Sequence, residues 1–156
     1  MRGLMSEQPL MVATLIQHAA RFHGDVEIVS RMVDGTVHRY SYADAERRSR
    51  RLARALLRLG IAPGDRVGTL AWNNYRHFEL YYGVSGIGAV CHTINPRLFD
   101  EQIVYIVNHA QDRLLFIETS FIPLIERLAP QLPADCRFIL LEPAQTTLPD
   151  TCREGS

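Results

Sequence analysis

The sequence predicts an α/β fold in which a β-hairpin precedes a mainly parallel sheet with helices on both faces. Two strand-like runs, 26–32 and 36–42, flank Asp34-Gly35, a dipeptide that favours a tight hairpin turn. From Arg66 onward, short apolar runs alternate with segments of helical periodicity, which indicates right-handed strand–helix–strand crossovers. These later strands are apolar throughout, as expected for strands that helices cover on both faces.

Length and composition narrow the class of protein. The chain has 156 residues, which fits one domain or one large subdomain, and 47% of them are apolar, enough for a core. The formal net charge is zero, so nothing global indicates a nucleic acid or anionic membrane partner. We find no secretory signal and no apolar run of the roughly 20 residues that a bilayer requires, and we expect a cytoplasmic protein.

The first elements follow from local signals. After a loose start at residues 1–9, Thr14 could cap a short helix in which Leu15, Ala19 and Phe22 share one face. The two hairpin strands come next.

A capping-box pattern at residues 41–44 then begins a long helix that continues to Leu59. Gly60 supplies the stop signal. The predicted buried stripe consists of Ala45, Ser49, Leu52, Leu56 and Leu59. Six arginines decorate the same helix: Arg47, Arg48, Arg50, Arg51, Arg54 and Arg58.

The remaining elements form the alternating part of the fold. Strands are predicted at residues 66–72, 90–93, 114–117 and 138–141. Helices are predicted at residues 75–88, with Phe78, Tyr82, Ser85 and Ala89 on one face, after Asp100 as a cap, and after Thr119 or Ser120 as a cap. Residues 1–142 are therefore read as one α/β subdomain, an incomplete domain, and residues 143–156 as a loop or disordered tail.

Glycine and serine motifs for cofactors and nucleophiles are absent in their diagnostic forms. Gly83, Gly86 and Gly88 have the wrong order and place for a dinucleotide fingerprint, and close helix–sheet packing explains them better. Ser85 does not lie in G-x-S-x-G, since Ile87 stands at the last glycine position. The chain contains no lysine, so a Walker A lysine or a lysine nucleophile must come from elsewhere.

Histidines and cysteines give no metal spacing. The three cysteines, Cys91, Cys136 and Cys152, include no C-x-x-C pair and are read as buried free thiols. Cys91 and His92 are neighbours on a strand and should point to opposite faces. His92 is the one histidine of interest, because it is predicted at a strand's carboxyl end, where open α/β sheets bind ligands.

Two polar features remain open. The arginine-rich helix could dock an anion, or it could be a solvated face with Asp44 and Glu46 as intrahelical partners. The segment Trp72-Asn73-Asn74 could recognise a ligand, or it could simply end a core strand and turn the chain.

The order of several segments carries a family resemblance. These segments are 40–44 (Tyr-Ser-Tyr-Ala-Asp), 63–67 (Pro-Gly-Asp-Arg-Val), 70–74 (Leu-Ala-Trp-Asn-Asn), 86–90 (Gly-Ile-Gly-Ala-Val), 92–98 (His-Thr-Ile-Asn-Pro-Arg-Leu) and 103–110 (Ile-Val-Tyr-Ile-Val-Asn-His-Ala). Their succession resembles the N-terminal subdomain of the adenylate-forming, or AMP-binding, superfamily. It looks most like medium- and long-chain fatty acyl-CoA synthetases, over residues 15–141.

The resemblance implies a two-step ligase that uses ATP, Mg²⁺ and coenzyme A. A carboxylate attacks the α-phosphate of ATP, and the thiol of coenzyme A then displaces AMP from the acyl-adenylate. In this family the phosphate loop ending in Pro-Lys, the aromatic-Gly-x-Thr-Glu segment, the ribose-binding Asp and the C-terminal Lys all lie downstream. None has a counterpart here, so no catalytic, cofactor-binding or metal-binding residue is carried over, and the isolated chain is expected to be an inactive fragment.

Alternatives stay open at this point. The acid could be aryl or short-chain, since the family's acid-selecting pocket lies mostly downstream. The chain could instead be a non-catalytic scaffold or a homodimerisation module, because a subdomain cut from a larger fold leaves apolar surface uncovered. A further hypothesis is that the chain is a Rossmann-like nucleotide-binding protein.

Overall fold

The structure, a computed structural model, describes residues 10–141, so the expectations for the start and for the tail after residue 142 lie outside the described residues. The helices and strands are α1 (Val12–Phe22), β1 (Glu27–Arg31), β2 (Val37–Ser41), α2 (Tyr42–Arg58), β3 (Arg66–Leu70), α3 (Tyr75–Ser85), β4 (Val90–Thr93), α4 (Asp100–Ala110), β5 (Leu114–Glu118), α5 (Ile122–Leu128) and β6 (Arg137–Leu141), with 3-10 turns at Thr119–Phe121 and Ala129–Gln131.

The predicted hairpin is present as an antiparallel pair of β1 and β2. The Met32 N–H donates to the Thr36 carbonyl at 2.8 Å, and Gly35 adopts φ +84°, which glycine tolerates without strain. Asp34 accepts hydrogen bonds from the amide and the hydroxyl of Thr36. The Asp34-Gly35 dipeptide therefore correctly predicted both the turn and its position.

Four parallel strands in the order β4-β3-β5-β6 form the main sheet, which confirms the predicted fold class. On one face Leu56 and Leu80, from α2 and α3, pack against Val67 and Leu114. The opposite face packs on α4 and α5 through a cluster that includes Leu70, Ile103, Val107, Leu115, Ile117, Ile125 and Leu128. Within residues 10–141, no helix has the length and apolarity that crossing a bilayer requires.

The start and end of α2 agree with the sequence signals. The Ser41 hydroxyl accepts from the Asp44 N–H at 3.2 Å, and the Asp44 carboxylate accepts from the Ser41 N–H at 3.2 Å, completing the capping box. Gly60 follows the helix with φ +82°. Ala45, Ser49 and Leu56 are buried, whereas the expected Leu59 is 40% exposed because the chain turns away there.

Three other predicted caps are wrong. Thr14 lies inside α1, and its hydroxyl donates to the Met11 carbonyl at 2.6 Å. The polar pair Thr119 and Ser120 forms part of a 3-10 turn before α5, and neither side chain caps that helix. A Ser or Thr hydroxyl near the start of a helix can donate to a backbone carbonyl, or stabilise a turn, instead of accepting from a backbone N–H of the helix.

The third wrong cap is Asp100, which is the first residue of α4 rather than its cap. Its carboxylate pairs with Arg127 of α5 at 2.7 Å. The Phe99 N–H is instead bound by the Gln102 side chain at 3.1 Å. A tertiary ion pair has thus replaced the local interaction that the sequence suggested.

The buried face of α3 differs from the predicted one. Leu80 and Val84 are 1% and 0% exposed and contact the sheet. Phe78 and Tyr82 are half-buried and pack in a separate cluster with Ile16 of α1. The helix has two apolar faces, and the predicted one is the face that points away from the sheet.

Candidate functional site

The carboxyl edge of the main sheet is the candidate site, because the loops after β3, β4 and β5 meet there. The loop after β3 begins at Ala71 and leads into α3 at Tyr75. The loop after β5 begins with the 3-10 turn Thr119–Phe121. The hairpin turn between β1 and β2 lies beside both loops.

Glu118 ties the end of β5 to the loop that follows β3. It is the last residue of β5 and only 4% of its surface is exposed. One carboxylate oxygen accepts from the Trp72 N–H at 2.8 Å, and the other accepts from the Asn74 side-chain amide at 3.1 Å. Because both oxygens are satisfied by donors, this buried carboxylate fixes the Trp72–Asn74 loop against the sheet.

Asn74 carries that order into α3. Its side-chain oxygen accepts from the N–H groups of Arg76 at 3.0 Å and His77 at 3.2 Å, which caps the helix. Asn74 is therefore a helix cap, a role that neither alternative for the Trp72-Asn73-Asn74 segment included. The cap sets the position of Arg76, the second helical residue.

A cleft with a volume of about 410 Å³ opens between the hairpin turn and this edge. Its lining includes Arg76, three hydroxyl residues and the carboxylates of Asp34 and Glu118; the hydroxyl residues are Thr36, Thr119 and Ser120. The two carboxylates are already hydrogen-bonded, and the Thr36 contacts hold the pKa of Asp34 below its usual value. Arg76 has no ion-pair partner within residues 10–141, so the cleft can hold a small anionic or polar group.

Trp72 forms an aromatic wall beside the same edge. Its ring centroid lies 5.1 Å from that of Phe121, and the Arg97 guanidinium carbon lies 6.0 Å from the Trp72 ring. The Asn95 side chain accepts from the Arg97 N–H at 3.0 Å, which shapes the loop after β4. Trp72 is thus half-buried against the core.

His92 lies near the carboxyl end of β4, as predicted, but its side chain is paired with Asp112. It is level with Gly68 in the register of β3 and β4, and its Nδ1 lies 2.8 Å from a carboxylate oxygen of Asp112, which precedes β5. The Asp112 side chain is fully buried, and burial raises its pKa while the bond to His92 opposes that change. A Cβ on Gly68 would lie 3.1 Å from Asp112 Oδ2, so the glycine leaves room for the pair.

The arginines of α2 divide into paired and unpaired groups. Arg47 pairs with Asp44 and Arg50 with Glu46, as the solvated-face reading expected. Arg48 instead reaches α3, where its Nε donates to Glu79 at 2.6 Å. The two residues are 31 positions apart in the chain, and nothing in the sequence indicated that they pair.

The glycines of α3 serve packing, but the partner is a helix and not the sheet. A Cβ on Gly83 would lie 2.8 Å from Leu52 Cδ2 and 3.2 Å from the Ser49 carbonyl oxygen, both on α2. Gly86 and Gly88 follow the end of α3, and Gly88 adopts φ +77° beside Pro63. The dinucleotide interpretation receives no geometric support.

Thiols and metal ligands contribute little to the site. Cys91 and Cys136 are free, and burial raises the pKa of each thiol to about 11. Cys91 packs on the α2–α3 side of the sheet while His92 faces Asp112 on the other, as their alternation requires. Within the part of the chain that the structure describes, no three His, Cys, Asp or Glu side chains converge as a metal site would require.

The Gly64–Val67 segment, part of the resemblance, has a structural role. The Gly64 N–H donates to the Gly88 carbonyl at 2.9 Å. Arg66 donates to the Ala110 carbonyl at 2.5 Å and to the Gln111 carbonyl at 3.2 Å, which satisfies the C-terminal end of α4. Val67 is fully buried in the core.

Comparisons with known proteins match nearly the whole chain. The model of the AMP-binding enzyme family matches residues 15–153. A 3-methylmercaptopropionyl-CoA ligase of Ruegeria lacuscaerulensis is 54% identical over 143 residues, covering 92% of this chain and 26% of the relative. A medium-chain-fatty-acid–CoA ligase of Ectopseudomonas oleovorans is 48% identical over 141 residues, covering 90% of this chain and 26% of the relative.

The fold has a counterpart among solved structures. The N-terminal domain of FACL13 from Mycobacterium tuberculosis superposes with a TM-score of 0.77 at 24% identity, covering 85% of this chain and 34% of that one. The chain spans about a quarter of the length of the two curated relatives. The match supports the sheet-and-helix architecture described above.

Proposed function

Because this chain belongs to the AMP-binding enzyme family, we propose that it forms the amino-terminal α/β segment of an acid–CoA ligase whose substrate is a fatty acid. The resemblance seen in the sequence to fatty acyl-CoA synthetases is confirmed by relatives named as medium- and long-chain-fatty-acid–CoA ligases. The proposed reaction joins the acid to coenzyme A through an acyl-adenylate, at the expense of ATP. The observation that carries the proposal is the 54% identity over 92% of this chain to a CoA ligase.

Within such an enzyme we propose that residues 1–142 act as scaffold. Glu118 and Asn74 hold the carboxyl edge in one conformation, and Trp72 supplies an apolar wall there. This rigidity suits a surface that borders an acyl or nucleotide site, because misplacement by about 1 Å can cost a large factor in rate. The tail after residue 142 is proposed to lead toward the parts that complete the site.

ATP, Mg²⁺ and coenzyme A are proposed ligands of the longer enzyme, and the residues described here do not fit a metal site of their own. No cluster of three acidic or histidine ligands occurs within residues 10–141. The 156 residues contain no lysine, the residue with which this family meets phosphate charge. We therefore propose that the isolated chain is inactive and that the enzyme acts in the cytoplasm.

The acid is proposed to be aliphatic. The curated relatives named above act, by their names, on a methylmercapto-substituted propionate or on medium- and long-chain fatty acids. Solved structures of anthranilate and benzoate CoA ligases match at 21% and 20% identity, a level that supports the fold alone. The aliphatic reading therefore has closer sequence support than the aryl one.

The test is CoA-thioester formation by the product of the complete reading frame that contains these residues. Purified protein would be given ATP, Mg²⁺, coenzyme A and a series of saturated acids, 3-methylmercaptopropionate and benzoate. We expect thioester with aliphatic acids and at most weak activity with benzoate. Thioester formation with benzoate alone would contradict the fatty-acid proposal, and the absence of any thioester would contradict the ligase proposal.

A further inference from the structure

The β1–β2 hairpin is attached to the rest of the fold at its base and through its inner face. At the base, the Tyr42 N–H donates to the Val26 carbonyl and the Ala43 N–H donates to the Gly24 carbonyl, both at 3.1 Å. The two strands form a separate two-stranded sheet. A two-stranded hairpin is at best marginally stable by itself, so the contacts of the inner face determine whether the turn end stays in place.

His38 of β2 holds the inner face of the hairpin against α3 by stacking on Tyr75. The centroids of the two rings are 3.7 Å apart, and the ring planes make an angle of 20°. Tyr40, which is nearer to the base, meets the same ring edge-on at a centroid distance of 5.8 Å. Of these two ring contacts, the one made by His38 is therefore the closer to the turn.

The surroundings of His38 oppose a positive charge on its ring. Its Nε2 atom is buried and has no hydrogen-bond partner among the described residues. Two cations lie beside the same tyrosine, since the guanidinium carbons of Arg76 and Arg48 are 4.9 and 5.6 Å from the Tyr75 ring centroid. Burial, followed by the charges of Arg48 and Arg76, lowers the pKa of His38 below its ordinary value.

Two acids lie near this cluster, and both are already bound. Glu79 of α3 accepts a hydrogen bond from the Nε of Arg48 at 2.6 Å, and Asp44 at the start of α2 pairs with Arg47. Neither carboxylate is hydrogen-bonded to the buried His38 Nε2, so a proton there would have no acceptor. A buried charged donor without an acceptor is costly, and it favours a state in which the ring reaches water.

We propose that the β1–β2 hairpin is a pH-sensitive latch, in which protonation of His38 breaks the stack on Tyr75 and releases the turn end from α3. The base stays in place, because it is held by backbone hydrogen bonds that do not titrate. Met32, Asp34 and Thr36 of the turn line the cleft of about 410 Å³ beside the carboxyl edge of the sheet. Release of the turn end therefore opens this cleft on the hairpin side.

The direction of the pH dependence follows from the lowered pKa of His38. A histidine whose pKa is lower in the closed state than in the open state stabilises the closed state fully above its ordinary value of about 6.5. This stabilisation is lost as the pH falls below that value. The latch is therefore closed at neutral pH and opens under mildly acidic conditions.

The test is hydrogen–deuterium exchange followed by mass spectrometry, using the product of the complete reading frame at pH 7.5 and pH 5.5. Exchange rates are corrected for the intrinsic pH dependence of amide exchange, which gives an opening constant for each peptide. The opening constant of residues 27–41 should rise about five- to tenfold at the lower pH, because one proton changes it by at most a factor of ten per pH unit. The constant for residues 114–118, which form β5, should not change.

Variants with matched controls identify the titrating group. H38F keeps a ring on Tyr75 but removes the titration, so the rise should disappear, whereas H109F should retain it. His109 is a suitable control because it also stacks on a tyrosine, Tyr105, but is exposed. R76Q removes one cation beside the stack and should make the rise smaller, whereas R51Q, at an exposed position of α2, should not.

His77 could produce a different response to acid, and the exchange pattern distinguishes the two. This side chain of α3 is 5% exposed, and burial lowers the pKa of His77 as well. Its Nε2 lies 3.0 Å from the Thr69 hydroxyl of β3, so its protonation should loosen α3 from the sheet. A rise in exchange of residues 75–85 without a rise in the hairpin would assign the response to His77 and overturn the proposal.

Other outcomes would overturn the latch as well. They are an unchanged opening constant of the hairpin between the two pH values, the same rise in H38F as in the unaltered protein, and an equal rise in residues 114–118, which would indicate general unfolding. If H38F does not fold, the comparison of R76Q with R51Q decides, and equal rises in both would contradict the proposal. Because the readout is amide exchange, the result is independent of whether thioester formation is found.

Discussion

The carboxylate of Glu118 lies 2.8 Å from the backbone nitrogen of Trp72, so the end of β5 directly holds the loop that follows β3. The two residues are 46 positions apart in the chain. Together with Asn74, this contact gives the carboxyl edge a single loop conformation. The family's ligand-binding chemistry is proposed to border this edge, so the contact joins fold to function.

Replacing Glu118 by Gln should destabilise the chain by about 1–3 kcal/mol, because one of two donors would then face an amide NH₂ instead of an oxygen. Trp72 is the only tryptophan of the chain, so its fluorescence reports on this loop without interference. We expect a red-shifted emission maximum and a lower urea midpoint. Glu101→Gln, at an exposed position of α4, is the control, and an equal effect there would contradict the role of Glu118.

Replacing Arg48 by Gln should destabilise the chain by about 2 kcal/mol near neutral pH. Burial already raises the pKa of Glu79, and the hydrogen bond from Arg48 opposes that rise. Without Arg48 the pKa of Glu79 rises further. The variant therefore loses the most stability near neutral pH, where the Glu79 carboxyl would have to be ionised. The difference from the unaltered chain should shrink as the pH falls and Glu79 becomes protonated; a difference that grows toward acidic pH would contradict this account.

Replacing Gly83 by Ala tests the contact between α3 and α2. Alanine favours a helix by about 1 kcal/mol over glycine, but overpacking against Leu52 and the Ser49 carbonyl costs about 1–3 kcal/mol. We expect a net loss of stability in the unaltered background and a neutral or favourable effect in L52A, where space is free. The same loss in both backgrounds, measured by urea unfolding, would show that Leu52 is not the obstacle.

The described cysteines should react slowly with thiol reagents at neutral pH. Burial raises the pKa of the Cys91 and Cys136 thiols to about 11, so almost none of either is the reactive thiolate. In a Cys152→Ser background, the native chain should label slowly and the urea-unfolded chain should show two fast thiols. Fast labelling of the native chain would contradict the burial of these side chains.

Signals within a few residues predicted much of the fold. The Asp34-Gly35 turn, the box formed by Ser41 and Asp44, and the stop at Gly60 are local, and all three are present. The caps assigned to Thr14 and Asp100 were wrong, because a carbonyl and a distant arginine compete for those side chains. Local chemistry predicts a helix start only where no tertiary partner intervenes.

The candidate site was harder to predict for the same reason. Glu118 gave one weak signal, an acid directly after a buried apolar strand, but its partners Trp72 and Asn74 are defined only by the parallel pairing of β3 and β5. His92 lies near the carboxyl end of β4, as predicted, but its contact with Asp112 depends on the register with Gly68, which is invisible in the sequence. The family resemblance, in contrast, was readable because it depends on the order of segments and not on contacts.

These residues are proposed to belong to an enzyme that activates a fatty acid with ATP. The most direct measurement is acid-dependent ATP–pyrophosphate exchange by the product of the complete reading frame, with the 156-residue chain measured beside it. We predict exchange that requires an aliphatic acid in the longer protein and none in the chain alone. Exchange by the chain alone would contradict the scaffold role, and no exchange with any acid in the longer protein would contradict the ligase assignment.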